Sequence, residues 1–200
     1  MIKVKQKTIS NGVKYKVIAE VSGRHLHISQ SHLAKLFGKN YKLKAIKSLS
    51  QPGDFAAAEQ VEILGPKNKL VMRIVGPVRK KTQIELAVSD CRYLGIEPAF
   101  RISGDLKKSP GALLKGPKGK IKLADGVIVP IRHLHLSELQ AKKWKLKNGQ
   151  KVKALVGGVR GMLIDQIVVR VGNYDMRIHL DTDEANAAGL LSCSKIDLIL

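Results

Sequence analysis

The chain carries almost the same hexapeptide twice, "RHLHIS" at residues 24–29 and "RHLHLS" at residues 132–137. A repeat at that separation in 200 residues restricts the fold to architectures built from two copies of one small unit. The surrounding pattern says which kind. "VKYKVIAEV" (13–21), "KLVMRIVG" (69–76), "QIELAV" (83–88), "KVKALV" (151–156), "QIVVRV" (166–171) and "MRIHL" (176–180) have strand length and composition. Turn signals such as "SNG" (10–12), "QPGD" (51–54) and "KNGQ" (147–150) separate them. These runs predict a mainly β protein. Helices are expected to be few and short. Ser29 and Ser137 are placed to cap helices directly after each hexapeptide, Gln140 completes a capping box with Ser137, and Gly38 ends the first helix.

The duplication extends beyond the hexapeptides. An ungapped alignment of "QIELAVSDCRYLGI" (83–96) with "RIHLDTDEANAAGL" (177–190) sets Ile84 on Ile178, Leu86 on Leu180, Asp90 on Glu184 and Gly95 on Gly189. It also sets Glu85 on His179. Four of the six histidines lie in the hexapeptides, and His-X-His on a strand aims two imidazoles at one face. With the aligned third positions, two ligand sets result: His25, His27 and Glu85, and His133, His135 and His179. Three protein ligands with a fourth position open is the arrangement of catalytic zinc. Zinc suits nitrogen-rich sets, and cobalt, nickel or iron would suit them too. A single hexapeptide reads better as an ordinary histidine pair on a strand, but two with matching third positions favour metal.

Other candidates lie around these sets. Arg79, in a Gly-Pro turn six residues before Glu85, has the planar fork that grips phosphate, with a plain surface arginine as the alternative. Ser103 in "RISGD" is a lesser candidate as a phosphate or oxyanion donor. Arg24 and Arg132 point to the opposite strand face from the histidines and are expected to be structural. His32 has no repeat partner and is expected not to ligate.

The net charge of +20 raises the question of a polyanionic partner. Aromatic residues make up only 4% of the chain and the lysines are dispersed, which argues against nucleic acid and leaves a phosphorylated small molecule or a solvated surface. No run approaches the roughly 18 apolar residues of a membrane span. Cys91 and Cys193 lack the spacing of a metal motif or a disulfide scaffold, so reduced thiols and a cytoplasmic setting are expected.

Taken together, "RHLHIS", "QPGDFAAAEQV", "GPVRKKTQIELAVSD", "RISGD", "RHLHLS" and "IHLDTDEANAAGL" resemble the PduL-type phosphotransacylases, or phosphate propanoyltransferases, over roughly residues 20–190. The resemblance implies a fold of two similar small β-barrel domains capped by short α-helices. It also implies conversion of short-chain acyl-CoA, propanoyl-CoA or acetyl-CoA, plus inorganic phosphate to acyl phosphate plus CoA. Two metal ions, usually zinc, would sit on the two ligand sets. The first set would hold the sulfur of coenzyme A, and the second, with Arg79, would hold phosphate; Ser103 is a lesser catalytic candidate nearby. The N-terminal strand would complete the second barrel, giving domains of 23–130 and 131–200 plus 1–22, and the family suggests a homodimer. Microcompartment-housed members often carry an amphipathic targeting helix, whereas the 23 residues before Arg24 look like strand, so free cytoplasm is expected. Two other readings compete: a dinuclear metallohydrolase of thioesters or phosphates, which would release CoA without added phosphate, and a basic, metal-stabilised RNA-binding barrel.

Overall fold

The computed structural model describes residues 14–200. The expected turn at 10–12 and the start of the expected N-terminal strand lie outside the described residues. Strand β1 (Lys14–Ser22) opens the described chain and is followed by β2 (His25–His27), α1 (Gln30–Phe37), β3 (Ala45–Ser48), β4 (Phe55–Leu64) and β5 (Lys69–Gly76). Next come β6 (Gln83–Glu85), α2 (Val88–Leu94), β7 (Phe100–Arg101), β8 (Leu113–Lys115), β9 (Lys120–Lys122) and β10 (Val127–Pro130). The last stretch holds β11 (His133–Leu136), α3 (Glu138–Trp144), β12 (Lys151–Val156), β13 (Met162–Val171), β14 (Arg177–Asp181), α4 (Thr182–Ala188) and β15 (Cys193–Ile199).

These strands form two sheets. One closes into a barrel in the order β1-β14-β11-β13-β12-β15. The other runs β7-β10-β6-β2-β5-β4-β8-β9, with β3 on β4, and its path stays open. The protein is thus mainly β, with one closed barrel, a partly closed partner and four short helices. β1 enters the barrel between β14 and β15, parallel to the first and antiparallel to the second. Among the described residues, no helix is long and apolar enough to cross a membrane.

Each sheet encloses its own apolar cluster. Leu26, Ile28, Ile63, Ile74 and Ile84 are fully buried in the open sheet, and Leu134, Leu136, Ile167, Ile178 and Leu198 fill the barrel. The alternation that predicted strands explains the placement: in β4, Ala57, Val61 and Ile63 point inward while their neighbours are more exposed. "QIELAV" behaves differently from a continuous strand. Pairing stops at Glu85, and Val88 begins α2, because the Asp90 carboxylate takes the backbone N–H of Ala87 and starts the helix.

The two hexapeptide strands are paired by one scheme. β2 lies antiparallel to β6 and parallel to β5; β11 lies antiparallel to β14 and parallel to β13. Both run into capped helices, with Ser29 Oγ accepting from His32 N–H and Ser137 Oγ from Gln140 N–H. Gly95 and Gly189 close α2 and α4 in the left-handed region, at φ 73° and 66°. This matched pairing is compatible with an internal duplication.

Leu26 sits between the first histidine pair and faces the core. Truncating it in Leu26→Ala should cost about 2 to 5 kcal/mol in urea unfolding, and Leu134→Ala should cost a similar amount in the barrel. A loss below about 1 kcal/mol in both would contradict this placement of the cores.

Candidate metal centre

Strand register builds the first ligand set. His25 lies directly opposite Glu85 across the β2–β6 pair, and His27 is two residues on, on the same face. Two backbone carbonyls orient the rings: His25 Nδ1 is 2.8 Å from Gly23 O and His27 Nδ1 is 3.1 Å from Val75 O. With Nδ1–H donating to these carbonyls, each Nε2 lone pair is turned toward the partner ligands. His25 Nε2 stands 3.6 Å from Glu85 Oε2. The other oxygen, Oε1, accepts from Gln83 Nε2 at 2.6 Å and from the Ser103 hydroxyl at 3.0 Å. Gln83 also donates to Ser103 Oγ, and its own carbonyl accepts from Gly104 N–H. Ser103 is therefore engaged with the carboxylate of the first set.

The second set repeats this geometry in the barrel. His133 lies opposite His179 across the β11–β14 pair, and His133 Nδ1 is 2.9 Å from Ile131 O. His135 stacks on Tyr174, with ring centroids 3.9 Å apart and planes 7° from parallel. Both of its ring nitrogens are buried without a hydrogen-bond partner. A buried imidazole left in that state is costly unless something accepts its lone pair. In each set, the potential ligand atoms lie within 4.8 Å of one another. Three nitrogens in one set, and two nitrogens with a carboxylate oxygen in the other, suit a divalent ion such as zinc.

Electrostatics keep His27, His133, His135, His179 and Glu85 in ligand form. Burial, reinforced by the neighbouring His25 and Arg79, holds His27 at about 3. Burial and the nearby His133, His179 and Arg170 hold His135 at about 2. Burial also lowers His179 to about 4, with Arg170 and Arg177 adding to the effect against Glu85. His133 is lowered for the same reason, with His179 beside it. Glu85 goes the same way by a different balance: burial opposes its charge, but His25, His27, His133 and the Ser103 hydroxyl outweigh that and keep the carboxylate ionised.

All six ligand candidates line one cavity of about 620 Å3, together with Arg79, Ser103, Arg24 and Arg170. Arg79 is planted by its backbone N–H, which donates to Ile28 O at 2.9 Å just past the first histidine pair. Its guanidinium stands 3.9 Å from Asp54. The supporting arginines are held by the aligned acids. Arg24 donates to Asp90 at 2.6 and 2.9 Å, and Arg132 donates to Glu184 at 2.6 Å. His32 is hydrogen-bonded to Thr82 Oγ1 at 2.8 Å and is in neither cluster.

Three contributors were not singled out from the sequence. Gln83 holds Glu85 and Ser103, Gln51 reaches His179, and Arg170 lies opposite His135 with its guanidinium over the Tyr174 ring. An arginine inside the apolar run "QIVVRV" was a signal for Arg170. Gln51 gave none, since its contact depends on how the two sheets meet.

A family model described as phosphate propanoyltransferase matches residues 18–191. Relatives carrying that name include one from Sebaldella termitidis, 40% identical over 192 residues that cover 95% of this chain and 90% of the relative. The Thermotoga maritima relative is 42% identical over 177 residues, covering 87% of this chain and 84% of its own length. The relative from Citrobacter koseri is 44% identical over 173 residues, covering 84% and 81%.

The depressed histidine pKa values make a pH prediction for metal-stripped protein. An unfolded chain protonates its histidines near pH 6.5, whereas His133 and His179 resist down to about 4 and His27 to about 3. Stability is therefore complete above about pH 6.5 and falls as pH drops toward about 3. Thermal unfolding in chelator across that range should show this decline, with a shallower slope in His135→Phe, which keeps the stack on Tyr174. A flat profile between pH 7 and 4 would contradict the assignment.

Proposed function

The chain belongs to the phosphate propanoyltransferase family and is a phosphate acyltransferase, and we propose on that premise that it joins phosphate to a short acyl group at a dinuclear metal centre. The acyl donors would be propanoyl-CoA or acetyl-CoA, and the products acyl phosphate and CoA. The observation that carries this reading is the single cavity lined by two matched three-residue sets and Arg79.

In this reading His25, His27 and Glu85 hold one divalent ion, and His133, His135 and His179 hold the other, with zinc the favoured identity. Bound there, such ions supply Lewis-acid polarisation and a soft ligand position for a thiolate sulfur. Arg79 binds phosphate through its two-pronged guanidinium and reduces repulsion between the incoming dianion and the carbonyl oxygen. Asp54, 3.9 Å from that guanidinium, lines the same cavity. Ser103 and Gln83 hold one oxygen of Glu85, leaving the other for the ion, so Ser103 acts through the carboxylate.

The transfer balances without an outside donor. A phosphate oxygen forms the new C–O bond as the C–S bond breaks, and the proton of hydrogenphosphate ends on the thiol of CoA. Holding both reactants in one cavity replaces a bimolecular encounter with an oriented one. We read the chain as two domains, 23–130 and 131–200 with 1–22, in a cytoplasmic homodimer. The two cysteines, Cys91 buried and Cys193 exposed, are free, in keeping with a reducing compartment.

Arg79→Ala should leave metal content unchanged and lower turnover by about a hundredfold or more, while Arg79→Lys should recover only part of it. Metal analysis beside a thiol-release assay checks both. Turnover of Arg79→Ala near the parent level would remove Arg79 from the chemistry.

A further inference from the structure

The turn between β3 and β4 belongs to the open sheet, yet its Gln51 side chain reaches His179 of the barrel. Its backbone is closed by Leu49 N–H donating to Asp54 O at 3.0 Å and Asp54 N–H donating to Gln51 O at 3.1 Å. Gly53, at φ 82°, supplies the left-handed step. Ser50 donates its hydroxyl to the Glu20 carboxylate on β1, which fixes the turn to the barrel. Gln51 then donates from Nε2 to Asp175 O at 3.2 Å, and the same nitrogen lies 3.3 Å from His179 Nε2. Gln51 borders the cavity of both ligand sets.

The orientation of this carboxamide follows from its neighbours. A half-turn would set Oε1 against Asp175 O, two acceptors facing each other, so the amino end is the one toward His179. A primary amide carries two N–H groups, and Asp175 uses one. The other points at His179 Nε2, in the ring that closes the barrel's three-histidine set. Once that ring holds an ion, the N–H is left for an anion beside it. Oε1, meanwhile, is buried without a partner.

We propose that Gln51 is a phosphate-contacting residue, donating this N–H to an oxygen of the anion held at His133, His135 and His179. The inference rests on the phosphate acyltransferase reading and names a further substrate contact within it. Because the donor comes from the open sheet and the histidines from the barrel, phosphate affinity then depends on how the two sheets are seated.

The test uses metal-loaded protein with Gln51→Met, which keeps the length and removes the donor, and Gln51→Glu, which adds a negative charge at the same place. Calorimetric titration with inorganic phosphate should show about tenfold weaker binding for the first and weaker binding still for the second. Metal content and the KM for acyl-CoA should stay at parent values, while the KM for phosphate rises. Parent-level phosphate affinity in both variants would overturn the proposal. So would loss of metal in step with loss of phosphate affinity, since Gln51 would then be supporting the ligand set itself. Phosphate-independent thiol release by the parent would instead refute the acyltransferase reading, and the direct titration would still report on Gln51.

Discussion

Cross-strand pairing of a histidine with the third member of its candidate ligand set is the constraint on which the site depends. His25 faces Glu85 and His133 faces His179 in antiparallel pairs, and a slip of one residue in either would turn the ligands to the opposite face of the sheet. The three-residue strands β2 and β6 have little ladder of their own to prevent that slip. Fully buried Leu26, Ile84, Leu134 and Ile178 do so from the core side, since moving them outward would expose both cores.

A second layer secures the same register. Arg24 and Arg132 precede the histidine pairs, and each reaches the acid in the first turn of the helix that follows the third ligand. Asp90 and Glu184 also take the backbone N–H groups of Ala87 and Asp181 at those helix starts. One carboxylate thus joins a hexapeptide to a helix N-terminus in each half. A direct bond between the halves comes from α2 and α4: Ser89 donates through backbone N–H and hydroxyl to Asp183 at 2.8 and 2.6 Å. Ser89 and Asp183 occupy equivalent positions of the aligned segments, so the two halves meet through matching residues.

Much of this was legible in the sequence because the repeat aligns residues by role. It paired Glu85 with His179 and Asp90 with Glu184, and both correspondences lie in matching places in the structure. Strand and cap positions were legible through alternation and through Ser29, Ser137, Gly95 and Gly189. What stayed hidden arises between elements that no local pattern links. The open path of the nine-stranded sheet, the reach of Gln51 to His179, and the hold of Gln83 on Ser103 all depend on tertiary placement. The hydrogen bond of Ser103 to Glu85 is equally a matter of tertiary placement.

The cavity lining brings Arg73, Arg79 and Arg170 beside the six ligand candidates, which places cationic groups where a phosphate would sit in the proposed reading. The central claim is that phosphate itself is the nucleophile in this cavity. Thiol release from propanoyl-CoA, followed on protein of measured metal content with and without added inorganic phosphate, tests it most directly. Release is expected only when phosphate is present, with acyl phosphate formed in equal amount. Release at the same rate without phosphate would contradict it and mark the site as hydrolytic.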